Sequence, residues 1–275
     1  MTNNEIVKQA LEASKNNYKT ATSTSEIPVT FLVMCCEDDI EYLPNCLGSI
    51  PDGSEIIIQE NIESEDSKKP EYSIVQEYNE GNQKITQLKY IYPRNELNLG
   101  AKYNSAKKHA TRDWLFKLDA DETVAMLPNH IELIKSFTSS RVGYFTVGLA
   151  SMELRNDTPF HCAWTANTQL RIIRKTDDLY WNYRVHETPR ISIEKAGNKY
   201  TQGISNILIN HHGYIADPNS SENMKKIAKK LNRNYNGLIK DLADNPNDAM
   251  QRTHLLRTMK MMEQFGLVND IEKLQ

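Results

Sequence analysis

The sequence predicts an α/β fold: a mixed, mainly parallel sheet flanked by helices, with a helical C-terminal tail. Three observations predict it. Short apolar runs recur, rich in β-branched residues and bounded by polar or turn-forming ones. Segments with apolar residues at helical spacing lie between them. After Pro218 the periodicity is helical. Strands alternating with helices make a parallel sheet with helices on both faces, and ligands bind such sheets at the carboxyl ends of the strands.

Residues 3–18 read as a short amphipathic helix on Ile6, Val7, Ala10 and Leu11, and the hydroxyl-rich stretch 20–25 as a linker. These define an N-terminal segment 1–26, a main domain 27–217 and a helical extension 218–275. Residues 29–35 form the first, buried strand. Residues 39–50 are helical, with Ile40, Leu43, Leu47 and Ile50 on one face, and Pro51-Asp52-Gly53 ends them. Residues 55–59 are the second strand, and the acidic stretch 60–69 is a loop at its carboxyl end. Residues 71–79 are expected to be helix, 85–92 strand, 100–111 helix and 114–118 strand. Further strands are expected at 142–150, 169–174 and 204–211. Met224, Ile227, Leu231, Tyr235 and Leu238 line one helix face, and Asn245-Pro246 restarts a helix with Asn245 as its cap.

The 275 residues carry a net charge of −3, 39% hydrophobic residues and 25% charged residues. A chain this long has ample volume for a core, and its composition is not that of a disordered one. The longest apolar run, at residues 29–36, falls far short of the ~20 residues of a membrane span. No secretory signal is visible at the N-terminus. Cys35, Cys36, Cys46 and Cys162 contain no C-x-x-C pair and read as thiols of a reducing compartment. A cytoplasmic protein is expected, with peripheral membrane association left open. The near-neutral balance argues against bulk nucleic-acid binding but permits a local basic face.

The sharpest local feature is Lys117-Leu118-Asp119-Ala120-Asp121-Glu122, where an apolar strand delivers three carboxylates to its exit. Asp119 and Asp121 are two apart, so an extended backbone points both to one side. Convergent carboxylates repel unless a cation lies between them, and hard oxygen ligands suit Mg2+ or Mn2+, ions that also hold substrate phosphates. The alternative is a solvated acidic turn.

The surrounding motifs resemble those of family 2 glycosyltransferases of the GT-A fold. Asn98-Leu99-Gly100 leads into a helix bearing Asn104 and Ala106, and a strand ending in D-A-D-E follows. Leu43-Pro44-Asn45-Cys46-Leu47-Gly48-Ser49-Ile50 is similar to the family's first helix. Val185-His186-Glu187 and His211-His212-Gly213-Tyr214 resemble the V-H-E and H-x-G-Y signatures of the branch that includes lipopolysaccharide-core glucosyltransferases. The resemblance covers residues 27 to about 265.

This resemblance implies a nucleotide-diphosphate-sugar donor and a divalent ion, Mn2+ or Mg2+. It implies Asp121, Asp119 and His211 at the metal site, with His212 the alternative to His211 by register. Asp119 is implied to contact the ribose or the metal's water shell. Glu60 stands where the family has an aspartate near the base, and Asn98 and Lys102 fall in the donor-binding segment. Glu187, with His186 second, is implied as the base that deprotonates the acceptor in a single inverting displacement. Pairing of Glu187 with Arg184 or Arg190 on the surface is the structural alternative. Trp164, Trp181 and Tyr183 suit either sugar stacking or core packing. The basic run Lys225-Lys226-Ile227-Ala228-Lys229-Lys230-Leu231-Asn232-Arg233 suits either a solvated helix face or an anionic acceptor: a phosphorylated glycolipid, a membrane surface or modified DNA. A peptide acceptor also stays open. Two other classes compete, a nucleotidyltransferase and a non-catalytic nucleotide-sugar or glycan-binding module. The acidic Cys36-Glu37-Asp38-Asp39, where a basic Gly-rich loop would be expected, weighs against the first.

Overall fold

The computed structural model describes residues 26–36, 39–80, 82–93, 96–138, 140–155, 158–211 and 221–267. The expected N-terminal helix and linker, Glu37, Asp38 and His212 lie outside the described residues, as do the side chains of Cys162 and Trp164. Among the described residues nine strands form one mixed sheet in the order β3-β4-β2-β1-β5-β8-β7-β9-β6. They are β1 (Val29–Cys36), β2 (Glu55–Ser64), β3 (Glu71–Glu80), β4 (Gln83–Pro93), β5 (Trp114–Asp119), β6 (Glu122–Ala125), β7 (Val142–Arg155), β8 (Thr158–Arg174) and β9 (Thr201–His211). The helices are α1 (Leu43–Gly48), α2 (Leu99–Lys107), α3 (Pro128–Ser136), α4 (Arg190–Ala196), α5 (Ser221–Asp244) and α6 (Ala249–Gln264).

Parallel pairing is concentrated in the block β4-β2-β1-β5. Beyond β5 the pairing is antiparallel except between β7 and β9. β1 is central to the parallel block, and this explains why it reads as a continuous apolar run. Successive side chains alternate between two cores: Phe31 and Val33 join Ile56, Trp114 and Phe116 on one face, whereas Leu32 and Met34 join Ile57, Tyr103 and Trp181 on the other. A third, smaller cluster joins Tyr90, Tyr92 and Leu97 to Val185 and to Leu238 of α5.

Three local expectations are corrected. Residues 71–79 are not helical but form β3, antiparallel to β4, from Glu71↔Ile91 to Glu80↔Gln83. A hydrogen-bonded ladder with a neighbouring strand outweighs a local apolar spacing that fits either period. The acidic stretch after Gln59 is strand as far as Ser64, because β2 stays in register with β4 up to Ser64↔Pro93. The last helix is capped by Asp248 rather than Asn245. The Asp248 carboxylate accepts from the N–H groups of Met250 and Gln251, both at 3.0 Å.

The segment following Leu179 is fixed to the start of α2. Leu99 N–H donates to Arg184 O at 2.9 Å and Gly100 N–H to Tyr183 O at 3.0 Å, so otherwise free helix N–H groups bind the loop. Asn104 exchanges two bonds with the Trp181 backbone, at 2.8 and 2.9 Å. Gly100 is required by this approach, since a Cβ there would meet Tyr183 O at 2.8 Å. From the other side, Gly237 of α5 admits Val185, whose Cγ1 a Cβ would meet at 2.8 Å. We predict that Gly100→Ala destabilises the protein by about 1–3 kcal/mol through overpacking. Chemical denaturation checks this, and an unchanged midpoint would refute the steric reading.

Candidate active site

The carboxyl ends of β1, β2 and β5 lie side by side. Met34 pairs with Asp119 and Cys35 with Glu60, so one acid flanks each side of the end of β1. The backbone does not stay extended through residues 119–121, as the sequence suggested. β5 ends at Asp119, Ala120 and Asp121 form a turn, and Ala120 N–H donates to Met34 O at 2.9 Å. The chain then enters β6, which places Glu122 opposite His211. Asp121 therefore reaches His211 by reversing direction, and their Oδ2 and Nε2 atoms are 3.2 Å apart.

Fixed positive charge surrounds these acids. Tyr103 Oη donates to Asp119 Oδ1 at 2.5 Å, and Arg171 approaches Asp119 Oδ2 at 3.5 Å. Arg171 also donates to Glu122 Oε1 at 2.6 Å, and Glu122 Oε2 accepts from Asp119 N–H at 2.9 Å. Burial alone would raise Asp119, but Lys117, Arg171 and the Tyr103 hydroxyl together hold it well below the usual carboxylate range. Glu122 is raised to about 6, by burial first and by Asp119 beside it, against the lowering pull of Arg171. Asp39, just past β1, is also raised to about 6, by burial and then by Asp121. Lys230 and Arg233 of α5 partly offset that shift.

The V-H-E segment lies opposite. Asn182 and Thr188 exchange backbone hydrogen bonds and close a tight loop, within which Tyr183 and His186 take positive φ of 73° and 52°. Non-glycine residues rarely hold this conformation, and contacts at both ends enforce it. Asp241 accepts from Arg184 N–H at 2.9 Å and from its guanidinium at 3.0 Å, Asp244 accepts from the same group at 2.6 Å, and Tyr183 Oη donates to Asp248. Glu187 is paired with Lys117, not with Arg184 or Arg190, and both side chains are buried. His186 stacks on His254 of α6 with ring centroids 4.2 Å apart. Although His186 is exposed, the loss of surrounding water and then the charges of His254, Lys117, Lys230 and Arg233 lower its pKa to about 4.

The remaining residues singled out in the sequence are scattered around this centre. Glu60 is half-buried on β2, one position before Asn61. Asn98 caps α2, its Oδ1 accepting from Ala101 N–H at 2.8 Å. Lys102 is fully buried, with Nζ 3.7 Å from the centroid of the Tyr92 ring and without a hydrogen-bond partner among the described residues. Trp181 belongs to the core beside Tyr103, not to a sugar-stacking surface. Lys117, Arg171, Tyr103 and Asp39 were missed. Lys117 and Arg171 had a signal, a single cation inside an otherwise apolar strand, in Trp-Leu-Phe-Lys-Leu and Leu-Arg-Ile-Ile. A buried cation needs a buried anion.

Among the described residues no group of three or more His, Cys, Asp or Glu side chains is gathered to hold a metal ion. Asp121 and His211 offer one carboxylate and one imidazole, and both oxygens of Asp119 face other partners. That donor set fits an ion that keeps waters and takes substrate phosphate oxygens as its other ligands.

No family model and no curated protein sequence matches this chain. Solved structures do. S. aureus TarS 1–349 is 10% identical over 86% of this chain and 72% of that chain, with a TM-score of 0.40. The same protein in complex with UDP-GlcNAc is 12% identical over 86% and 73%, with a TM-score of 0.42. The mannosyltransferase PcManGT from Pyrobaculum calidifontis, in complex with GDP-Man and Mn2+, is 12% identical over 94% and 77%, with a TM-score of 0.43.

Two predictions follow from the charge arrangement. Arg171→Met strands Glu122 without its ion-pair partner, removes one of the cations beside Asp119, and costs about 3–5 kcal/mol of stability. Adding Glu122→Gln recovers part of it, so denaturation of the single and double variants tests the coupling. The second concerns acid. His186 binds its proton at about 4 when folded, against an ordinary 6.5, so the unfolded chain protonates first as pH falls. Its contribution is complete above about pH 6.5 and is lost toward pH 4. The thermal midpoint of His186→Asn should therefore fall less over that window, and identical pH profiles would refute the assignment.

Proposed function

We propose that the protein is a metal-dependent, inverting glycosyltransferase of the GT-A type, resembling family 2. It moves a sugar from a nucleotide-diphosphate-sugar to an acceptor hydroxyl. The observation that carries this reading is the Asp121–His211 pair, 3.2 Å apart at the carboxyl end of the parallel block, in a field of acids. Asp39 and Glu122 are both raised to about 6 there, which marks a place where added positive charge is favourable.

Asp121 and His211 would hold the ion, Mn2+ or Mg2+. When bound, such an ion supplies neutralisation of the charge that develops on the departing diphosphate. Asp119, kept ionised by Lys117, Arg171 and Tyr103, would accept a hydrogen bond from a hydroxyl of the donor. The bond from the anomeric carbon to phosphate breaks and its electron pair leaves with the nucleoside diphosphate. The acceptor oxygen bonds to that carbon, which carries oxocarbenium character at the transition state, and gives its proton to Glu187. Lys117 fixes the orientation of that carboxylate, and the clamped loop fixes its position. His186, stacked face to face on His254, is the second candidate for that role.

Asp121→Ala is expected to abolish Mn2+-dependent release of nucleotide from a UDP- or GDP-sugar. Glu187→Gln is expected to keep donor binding and lose transfer. Transfer by Glu187→Gln at the wild-type rate would remove Glu187 from the mechanism. Metal-independent release by the wild type would remove the metal.

A further inference from the structure

The segment 182–188 carries Glu187 near its end, and one face of α5 grips that segment. Gly237 and Asp241 are four residues apart and so lie on the same side of α5. Gly237 leaves room for the Val185 side chain, since a Cβ there would meet Cγ1 at 2.8 Å and Cγ2 at 3.1 Å. Asp241, 5% exposed, takes the backbone beside it: Arg184 N–H donates to its two carboxylate oxygens at 2.9 and 3.1 Å. Burial raises the pKa of this carboxyl, and the Arg184 groups and the Val185 N–H work against that rise.

Arg184 is thereby held at both ends of its backbone, because its carbonyl accepts from Leu99 N–H of α2 at 2.9 Å. Tyr183 and His186, the two residues of positive φ, stand on either side of this pinned stretch. From there the chain reaches Glu187 through His186 and through Val185, which is packed with Tyr90, Tyr92 and Leu238. At its other end the Glu187 side chain meets Lys117 of β5. The neighbouring acids do different work. Asp244, largely exposed, takes the Arg184 guanidinium, and Asp248 takes the Tyr183 hydroxyl and caps α6. A buried carboxylate is costly unless its oxygens are used, and Asp241 uses both of them on the main chain that leads to Glu187.

We infer that Asp241 is a positioning residue for Glu187: from α5 it pins the Arg184 backbone and so sets where the Glu187 carboxylate stands against Lys117. That this position governs a reaction rests on the glycosyltransferase reading, in which Glu187 takes the acceptor proton; that Asp241 orders the loop does not. A general base works only within hydrogen-bond reach of the proton it takes, so a small displacement of the loop costs rate without costing donor affinity.

The test is Mn2+-dependent release of nucleotide from UDP- and GDP-sugars by the full-length protein, with water in place of the acceptor. Water bonds to the anomeric carbon and gives one proton to Glu187 as the nucleoside diphosphate leaves. Asp241→Asn keeps the side-chain shape but turns amide hydrogens toward N–H donors. It should lower kcat about ten- to a hundredfold with KM for the sugar donor unchanged. Added to Glu187→Gln, it should not deepen the loss that Glu187→Gln gives alone, because it acts through that residue. Asp244→Asn removes an exposed ion pair and should stay within about twofold of wild type. A rise in KM at unchanged kcat, losses that multiply in the double variant, or an equal loss in Asp244→Asn overturns the inference. If Asp241→Asn does not fold, Gly237→Ala, which displaces Val185 from the same recess, should show the same loss of kcat at constant KM, and its absence overturns the inference. Wild type that releases no nucleotide defeats the enzyme reading, and release by Glu187→Gln at the wild-type rate defeats the base assignment. In either case hydrogen exchange at the amides of residues 184–187 decides the role of Asp241. Faster exchange in Asp241→Asn supports its hold on the loop, and unchanged exchange overturns it.

Discussion

Three carboxylates at the end of a central strand cannot be buried together unless fixed cations accompany them. Here β5 delivers Asp119, Asp121 and Glu122 into a protein interior, and the surrounding structure is arranged to hold them there. Arg171 enters from β8, Lys117 from within β5, His211 from β9, and Tyr103 brings a hydroxyl from α2. The division of labour follows from geometry. Asp119 and Glu122 are the internally compensated acids, whereas among the described residues the direct partner of Asp121 is the His211 imidazole.

The second constraint is positional. The loop carrying Glu187 holds two residues in left-handed backbone conformations, which only over-determined contacts sustain. Those contacts come from the N-terminus of α2 on one side and from Asp241, Asp248 and Gly237 on the other. The C-terminal helices therefore form part of the scaffold of the site. The Lys230 and Arg233 charges of the same α5 act on Asp39 at the end of β1.

Much of this was legible in the residues, for identifiable reasons. Buried parallel strands announce themselves as uninterrupted apolar runs, so β1 and β5 were read to within one residue, and β2 from its first residue but five short of its end. Their order of appearance, with D-A-D-E at the exit of β5, located the site. Edge strand β3 was misread because its apolar residues fit a helix as well as a ladder, and only the partner strand decides between them. The turn at Ala120 was not legible, since it depends on a hydrogen bond to Met34 and on β6 pairing with a strand almost ninety residues later. For the same reason Arg171 and Tyr103 had no place in a motif: their role is defined by tertiary neighbours. Lys117 was visible as a charge in an apolar strand, and its pairing with Glu187 needed the fold.

The central claim is that Asp121 and His211 hold a divalent ion incompletely and that a diphosphate completes it. The direct measurement is the electron paramagnetic resonance signal of free Mn2+, titrated with protein alone and with protein plus a nucleoside diphosphate. Weak depletion of the signal by protein alone, strong depletion with the nucleotide beyond what nucleotide takes by itself, and loss of that gain in Asp121→Ala are the predicted results. Depletion that is the same with and without nucleotide, or that survives Asp121→Ala, would contradict the account.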